Sequence, residues 1–309
     1  MLEAAMLLTA IAVDLTLGEP PARIHPVVWI GKFIAALERL PIRSPRLQLA
    51  HGALMPLVGI LVFVGPAWLV LDYLRQASPP AYFLLGTFLL KSTFSIRGLF
   101  RATEGVRRPL AAGDLPQARA ALRSLVSRDT ASLGGPLVAA AAVESVAENT
   151  SDSIVAPLFF FVLLGLPGAL AYRVINTFDA MVGYHGRYEY LGKASARLDD
   201  LANLVPARVT ALILVLAGFL SGNRAGPAWR TMRRYCGATE SPNAGWPMSA
   251  MAGALGVRLE KVGHYCLGDG TTDLTADTVA QANGIARVST LIVTAISVAL
   301  LVVKHVHFS

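Results

Sequence analysis

Three carboxylates stand four residues apart in a stretch of small and apolar residues: Glu144, Glu148 and Asp152. On an α-helix these positions share one face. Like charges repel there and each is costly in an apolar setting, so a bound cation, arginines or protonation must offset them. Carboxylates together with Asn149 offer the oxygen ligands that Mg²⁺ prefers. The pattern predicts a divalent-cation site, and the alternative is a solvated helix end whose acids meet only water or Arg128.

A second polar group follows the next apolar stretch. Asn176, Asp179 and Gly183 are spaced i, i+3 and i+7, which places them on one helical face. Because glycine has no side chain, another backbone or a ligand can approach that face closely. The spacing predicts a helix that directs Asn176 and Asp179 towards a binding site, against the alternative of an interfacial helix end with a solvated polar face.

A third polar group combines acids, an amide and an arginine. Asp199 and Asn203 are one helical turn apart, with Asp200 beside them. Pro206 is expected to close or kink this helix before Arg208. Three such groups next to membrane segments favour one shared polar cavity over three unrelated helix ends.

Two proline-rich loops contribute further groups. Residues 14–27 place His25 near acids and an arginine, and residues 241–247 are predicted to form a rigid turn that presents Trp246 beside Asn243. The alternatives are that His25 is only a hydrogen-bonded loop residue and that Trp246 is only an interfacial anchor.

Long apolar stretches must position these groups. The main ones cover residues 54–71, 81–90, 154–172, 209–221 and 288–303. Residues 54–71 and 154–172 are long enough to cross a hydrocarbon core of about 30 Å, and the stretch from 81 becomes so if its helix continues to residue 96. The alanine-rich stretch 131–143 is expected to pack against other helices, and residues 1–17 to form a retained apolar helix. The pattern predicts five to seven membrane helices.

The composition indicates the same class of protein. Charged residues make up 15% and hydrophobic residues 54%, and the mean hydropathy is +0.54, whereas soluble domains contain about 25% charged residues. This excludes an ordinary cytosolic enzyme, a disordered chain and a small disulfide scaffold. The predicted fold class is all-α, a polytopic integral membrane helical bundle that forms one domain over residues 1–309. Cys236 and Cys266 form no CxxC pair and are expected to be free thiols.

The chain carries a net charge of +7, with 27 Lys and Arg against 20 Asp and Glu. The basic residues lie mostly between apolar stretches, as in cytoplasmic loops, so the lipid bilayer and phosphorylated substrates are the expected partners, and nucleic acid is not. The loops of this type cover residues of about 18–50, 97–130, 173–208 and 223–287. A single crossing at 209–221 would put the last two on opposite sides. Either that segment does not span or the alanine-rich one is re-entrant, and both alternatives stay open.

Taken together, the motifs resemble the adenosylcobinamide-phosphate synthase family of cobalamin biosynthesis. Five motifs occur in family order over most of the chain, which is far more specific than any one of them. They are Gly18-Glu19-Pro20 with His25-Pro26-Val27, residues 144–157, Asn176-Thr177-Phe178-Asp179 with Met181 and Gly183, Leu198-Asp199-Asp200 with Pro206-Ala207-Arg208, and residues 241–247 followed by 253–257.

The resemblance implies a multi-pass enzyme of the bacterial inner membrane. Such a ligase joins a carboxyl group of adenosylcobyric acid to the amine of aminopropanol phosphate, with ATP as cosubstrate and Mg²⁺ as cofactor. Self-association, or association with other membrane enzymes of the late corrinoid pathway, is compatible with this role. The sequence has no GxxxxGK[ST] loop, so ATP would bind through a metal ion and arginines.

Within this hypothesis the polar residues take three roles. The expected metal ligands are Glu144, Glu148, Asp152, Asp179, Asp199 and Asp200. Guanidinium groups bind phosphate and carboxylate in a bidentate manner, and the residues expected to contact ATP or substrate are Arg23, Asn149, Asn176, Arg197, Asn203, Arg208, Asn243 and Trp246. The expected catalytic residues are His25, Glu144, Glu148 and Asp152. Either Glu148 or His25 would accept the proton of the attacking ammonium.

Two other functions remain open at this point. An intramembrane prenyltransferase also uses Asn- and Asp-rich helix ends that hold Mg²⁺, but the sequence lacks two matching aspartate-rich motifs. A corrinoid transporter or binding protein without chemistry would place its acids near the middle of the membrane, and no inverted repeat is visible.

Overall fold

A computed structural model of the chain describes residues 1–40, 42, 44–184, 186, 188–222 and 225–308. In this part of the chain nearly all regular structure is helical, which confirms the predicted all-α class. The helices of the first half are α1 (Leu2–Thr16), α2 (Pro26–Glu38), α3 (Pro45–Ala77), α4 (Pro79–Lys91), α5 (Ile96–Ala111), α6 (Leu115–Leu122) and α7 (Gly135–Thr150). After a π-helical turn, Ser151–Val155, come α8 (Ala156–Val182), α9 (Lys193–Ala202), α10 (Leu204–Leu220), α11 (Ala225–Tyr235), α12 (Gly245–Leu255) and α13 (Ala276–Phe308). One antiparallel hairpin, β1 (Leu259–Lys261) and β2 (Tyr265–Leu267), lies between α12 and α13.

Several of these helical segments can cross a membrane. Among the described residues, four are long and apolar enough: Pro45–Ala77, Pro79–Ala111, Gly135–Val182 and Ala276–His307. The bent pair of α9 and α10 adds a fifth if it forms one span. The chain is therefore a multi-pass membrane protein. Among the described residues it has four candidate spans, below the predicted five to seven, and reaches five only if the bent pair forms one span.

Two of the predicted continuous helices are interrupted. The stretch 154–172 begins in the π-helical turn and breaks at Gly165, whose φ of 68° and ψ of −163° are accessible essentially only to glycine. Pro167 follows and lacks a backbone N–H. The stretch from residue 81 is also interrupted, because α4 ends at Lys91 and a turn precedes α5, but Pro79–Ala111 as a whole is long and apolar enough to span.

The chain divides into two compact units, and both contain candidate membrane helices. The first unit consists of Met1–Ser95, Ala156–Ala202 and Ile296–Ser309, and the second of Ile96–Val155 and Asn203–Ala295. One membrane domain over residues 1–309 stays a prediction.

Glycines allow close helix packing in the first unit. A side chain on Gly59 of α3 would meet the Phe178 ring of α8 at 2.5 Å, and one on Gly86 of α4 would meet Met6 of α1 at the same distance. Such contacts between small and large residues are how membrane helices approach one another.

The alanine-rich segment forms the centre of the second unit. Residues 138–143 have no exposed surface and pack in a core that includes Met251 of α12 and Ala211 of α10. This confirms that the segment packs against protein. Cys236 and Cys266 are free thiols, as expected.

Pro206 has a different role from the predicted one. Helix α9 ends at Ala202, Asn203 is the N-cap of α10, and Pro206 lies in the first turn of α10. In a first turn the missing N–H of proline removes no helical hydrogen bond, so Pro206 begins a helix instead of ending one. With 17 residues, α10 is short for an independent span, and the topology around 209–221 stays open.

Candidate functional site

A buried acid on α7 forms the first polar cluster, in the second unit. Glu144 is 4% exposed, and its Oε2 accepts a hydrogen bond of 2.9 Å from Nη2 of Arg128, which lies in the loop before α7. Tyr265 of β2 lies close to Glu144 and Glu148. Burial raises the pKa of its phenol most, and the negative charges of these two acids raise it further. The phenol therefore stays protonated, and it donates to Sδ of Met248 at 3.9 Å. We call Arg128, Glu144, Glu148 and Tyr265 the Glu144 cluster.

The end of α7 carries a network of amide and hydroxyl groups. Nδ2 of Asn149 donates to the carbonyl oxygen of Ser145 at 3.0 Å, and the hydroxyl of Ser153 donates to Oδ1 of Asn149 at 3.2 Å. Asp152 lies in the π-helical turn and is partly exposed. A π-turn widens the helix and often occurs at functional sites, so Asp152 does not continue the regular row that the four-residue spacing predicted.

Arg208 lies in a second set of contacts within the same unit. Its guanidinium lies 4.7 Å from the ring centroid of Trp246, and its Nη1 donates to Oδ1 of Asn243 at 3.2 Å. Trp246 belongs to the first turn of α12, so only residues 241–244 form the predicted turn. The structure thus brings together three of the residues that the sequence predicted for ligand binding. Asn203, also predicted, is buried.

A third cluster, in the first unit, connects residues of α8 and α9. Nη1 of Arg173 donates to Oδ1 of Asn176 at 3.2 Å, and Nδ2 of Asn176 lies 3.4 Å from Oδ1 of Asp199. Asp179 and Asp200 are close enough for their charges to interact. Asn176, Asp179, Asp199 and Asp200 therefore lie together, so two of the three predicted polar groups meet in part.

Gly183 explains how the end of α8 accommodates this cluster. A Cβ atom at Gly183 would lie 2.0 Å from Oδ1 of Asp179, and its N–H bonds to the Asp179 carbonyl oxygen at 2.7 Å. The close approach predicted for Gly183 is made by a carboxylate of the same helix. Arg197 of α9 and Arg23 of the first loop are exposed.

A fourth cluster ties α1, α2 and α4 together in the first unit. Nζ of Lys91 lies 2.9 Å from Oδ1 of Asp14 and 2.8 Å from Oε2 of Glu19, and the Ser95 hydroxyl donates to Oε1 of Glu19. Nε2 of His25 lies 3.0 Å from Oε2 of Glu19. Burial alone would raise the pKa of Glu19, but hydrogen bonds from His25, Lys91 and Ser95 lower it to about 2. We call Asp14, Glu19, His25, Lys91 and Ser95 the Glu19 cluster.

Both ring nitrogens of His25 are engaged in this cluster. Nδ1 accepts from the backbone N–H of Val27 at 3.2 Å and so caps α2, which leaves the proton on Nε2 for donation to Glu19. In this state His25 has no free nitrogen lone pair with which to accept a substrate proton.

Oxygen donors for a metal ion are present in both units. Among the residues that the structure describes, no three His, Cys, Asp or Glu side chains form a group that could hold a metal ion. Asp179, Asp199 and Asp200, with the Asn176 amide, offer the hard oxygen ligands that suit Mg²⁺. Glu144 fits this role less well, since Arg128 already occupies one of its oxygens. The metal ligands and the single shared cavity stay predictions.

Comparison with known proteins identifies the family. The model of the family described as CobD/Cbib protein matches residues 7–301, nearly the whole chain. The chain belongs to the CobD/Cbib family. No solved structure matches it.

Curated relatives of this CobD/Cbib chain agree with that result. It is 47% identical over 274 residues to "Cobalamin biosynthesis protein CobD" of Dehalococcoides mccartyi, covering 88% of this chain and 89% of the relative. Proteins of the same name from Rhodobacter capsulatus and Klebsiella pneumoniae are 48% identical over 261 residues and 40% identical over 280 residues. These alignments cover 83% and 87% of this chain, and 81% and 88% of the relatives. Membership of the family supports a role in cobalamin biosynthesis.

Two residues of this CobD/Cbib chain were missed by the sequence reasoning. Lys91 did carry a signal, because a lone lysine at the end of an apolar segment needs an acidic partner. Tyr265 carried none, since it belongs to a hairpin that is more than a hundred residues from Glu144 in sequence. Only the folded chain places it there.

Proposed function

We propose that this chain is an adenosylcobinamide-phosphate synthase of the bacterial inner membrane. It would join a carboxyl group of adenosylcobyric acid to the amine of aminopropanol phosphate, with ATP as cosubstrate and Mg²⁺ as cofactor. The observation that carries the proposal is the clustering of carboxylates, amides and arginines at helix ends in a multi-pass chain of this family. The site would open to the cytoplasm, where ATP is available.

The chemistry needs an activated carboxylate, because an oxide ion is a very poor leaving group. The substrate carboxylate would attack the γ-phosphorus of ATP, which gives an acyl phosphate and ADP. The amine then attacks the acyl carbon, so that a C–N bond forms, the C–O bond to phosphate breaks and inorganic phosphate leaves. Bound Mg²⁺ would neutralise the charge that develops on the transferred phosphoryl group.

The described residues suggest a division of these tasks. Asp179, Asp199 and Asp200 stay the proposed metal ligands, and because no three such side chains among the described residues are grouped to hold an ion, a bound ion would have to draw them together. Arg208, stacked on Trp246 and bonded to Asn243, would hold a phosphate or carboxylate through its remaining N–H groups.

One of the two candidate bases, Glu148 or His25, must accept the proton of the attacking ammonium. We assign the proton of the attacking ammonium to Glu148, which is partly exposed. Both nitrogens of His25 are engaged within the Glu19 cluster, so His25 would position α2.

The direct test supplies purified protein in detergent with adenosylcobyric acid, aminopropanol phosphate, ATP and Mg²⁺, and follows the products by mass spectrometry. We expect a corrinoid product that is heavier by the amide-linked phosphate arm, formed together with ADP. Glu148→Gln should slow this reaction about 10²- to 10⁴-fold, the usual contribution of a general base.

Two controls separate the alternatives. Diphosphate release from a prenyl diphosphate would indicate a prenyltransferase, and uptake of labelled corrinoid into proteoliposomes without product would indicate a transporter. If correctly folded protein forms no amide product when it is given all four reagents, the proposal is refuted.

A further inference from the structure

Helix α10 of the second unit exposes an apolar row along its length. The row lies on one face of the helix, while the opposite face packs in the core of this unit. Its exposed members are Val205, Leu212, Leu216, Phe219 and Leu220. An apolar surface of this extent marks a contact with a partner or with lipid. Because the chain is a multi-pass membrane protein, acyl chains are the apolar medium at hand.

Helix α11 exposes a basic row on its outer face. Trp229, Arg230, Arg233 and Arg234 are all exposed there, and their spacing places them on one side of the helix. Arg234 pairs with Asp269 at 2.9 Å. In the part of the chain that the structure describes, Arg230 and Arg233 have no acidic partner. The row therefore carries two uncompensated positive charges.

Contacts with α12 fix the position of α11 along α10. A Cβ atom on Gly218, near the end of α10, would lie 3.0 Å from the Cβ atom of Ala254 in α12. A Cβ atom on the neighbouring Gly253 would lie 2.8 Å from the Cα atom of Ala228 in α11. The first half of α11 thus lies level with the end of α10.

The other ends of the two helices also lie level with each other. Arg208 in the second turn of α10 contacts the ring of Trp246 at 4.7 Å, in the first turn of α12. A Cβ atom on the adjacent Gly245 would collide with the carbonyl oxygen of Cys236, directly after α11. Helix α11 therefore runs antiparallel along α10, and its arginines lie beside the apolar middle of α10.

This arrangement argues against α10 as a membrane span. With 17 residues α10 is about 25 Å long, whereas the hydrocarbon core is about 30 Å thick. If α10 crossed this core, the exposed arginines of α11 would lie at the same depth in hydrocarbon. A charged side chain there is costly and normally faces the interior of a bundle. The apolar row and the basic row are both accommodated where acyl chains meet headgroups.

We propose that the outer faces of α10 and α11 form one contact with the surface of the cytoplasmic leaflet. The apolar row of α10 enters the upper acyl region, and Arg230 and Arg233 bind the phosphates of anionic phospholipids. A guanidinium holds a phosphate through two parallel hydrogen bonds. Interfacial helices combine apolar and basic faces in this way, with an aromatic residue such as Trp229 at the boundary. Both ends of α10 then stay on the cytoplasmic side.

The first experiment determines on which side of the membrane α11 begins and ends. Ser221 precedes α11, Ala238 follows it, and both are exposed. Single cysteines at these positions, in a chain with Cys236→Ser and Cys266→Ser, are treated with a membrane-impermeant maleimide. We expect Ser221→Cys and Ala238→Cys to react in inverted vesicles and not in spheroplasts. Reaction of either residue in spheroplasts would overturn the proposal.

The second experiment tests whether lipid covers the apolar row. Leu216→Cys in the same background is labelled with bimane, and the full chain is placed in phosphatidylcholine nanodiscs. Lipids with brominated acyl chains should quench the bimane fluorescence. Fluorescence that these lipids do not quench, as expected beneath a second copy of the chain, would overturn the contact.

The same assay measures the preference for anionic headgroups. Because a basic residue at an anionic surface contributes about a fivefold gain in affinity, brominated phosphatidylglycerol should associate at least fivefold more strongly than brominated phosphatidylcholine. The double variant Arg230→Gln with Arg233→Gln should lose this preference. Arg101→Gln with Arg123→Gln is the matched control, since it removes the same charge from exposed positions elsewhere in the second unit. An equal loss in the control, or no preference in the wild type, would refute the role of the α11 arginines.

Discussion

The Glu19 and Glu144 clusters both place an acid next to a base in an apolar setting, yet they are satisfied to different degrees. Glu19 receives His25, Lys91 and Ser95, and Lys91 also reaches Asp14. Glu144 receives Arg128 on Oε2, and its Oε1 accepts no hydrogen bond of good geometry among the described residues, with the Tyr265 phenol close to the carboxylate. The Glu19 carboxylate thus has donors for both oxygens and the Glu144 carboxylate for one, while Oδ1 of Asp14 makes an ion pair with Lys91 without a well-directed hydrogen bond.

This difference separates an acid whose carboxylate is fully satisfied from one that is only partly satisfied. Lys91 is 1% exposed and Asp14 is fully buried, so each charge depends on the other for compensation. A cluster of this kind fixes the positions of α1, α2 and α4. Glu144 retains a buried acceptor, which costs stability.

The largest expected effect is the loss of stability on Lys91→Met. Removing one partner of a buried ion pair leaves an uncompensated charge and costs about 3–5 kcal/mol. We expect this loss in the free energy of unfolding, measured by titration from mild detergent into SDS. The matched control is Lys32→Met on α2, where the lysine is exposed. Equal stabilities of the two variants would show that the Glu19 cluster is no anchor.

Much of the architecture was predictable from the sequence because lipid imposes a strong rule. Uncharged stretches such as 54–71 and 288–303 lie within α3 and α13, and the alanine-rich stretch packs inside protein. The interruptions were not predictable from hydropathy. Gly165 breaks a uniformly apolar stretch through a backbone conformation, and Pro206 was assigned to the wrong end of a helix.

The candidate site was predictable within single helices and not between elements. Spacing placed Asn176 and Asp179 on one face of α8, because helical periodicity is local. It also placed Asp199 and Asn203 one turn apart on a single helix, which is wrong, since α9 ends at Ala202 and Asn203 is the N-cap of α10. The pairing of Glu144 with Arg128 was foreseen only as an alternative, and the approach of Tyr265 depends on the hairpin that follows α12. Which acid has a partner is decided by such contacts, and the comparison of the two clusters rests on them.

A smaller effect is expected for Arg128→Met, which sharpens the comparison. The Arg128 side chain is 20% exposed, so its removal should cost about 1–3 kcal/mol, less than the loss of Lys91. The measurement is the free energy of unfolding, determined in the same detergent-to-SDS titration as for Lys91→Met.

The control for Arg128→Met is the double variant Arg128→Met with Glu144→Gln. Removing both charges leaves no isolated ion, so its stability should lie closer to the wild type than that of Arg128→Met alone. A double variant that is less stable by the sum of the two single losses would mean that the pair is not coupled.

The smallest expected effect concerns the pH dependence contributed by Glu19. Its pKa is lowered from an ordinary value of 4.5 to about 2, so its stabilising contribution is complete above pH 4.5 and is lost as the pH falls towards 2. Because its side chain is 39% exposed, screening reduces that contribution to about 1–2 kcal/mol. The difference in unfolding free energy between wild type and Glu19→Gln should therefore shrink as the pH falls across this window. The control is Glu260→Gln, at an exposed acid 4.0 Å from Arg258, and its unfolding free energy should change with pH as that of the wild type does. A difference that stays constant with pH would mean that Glu19 contributes through packing, and the contrast with Glu144 would then be one of shape instead of charge.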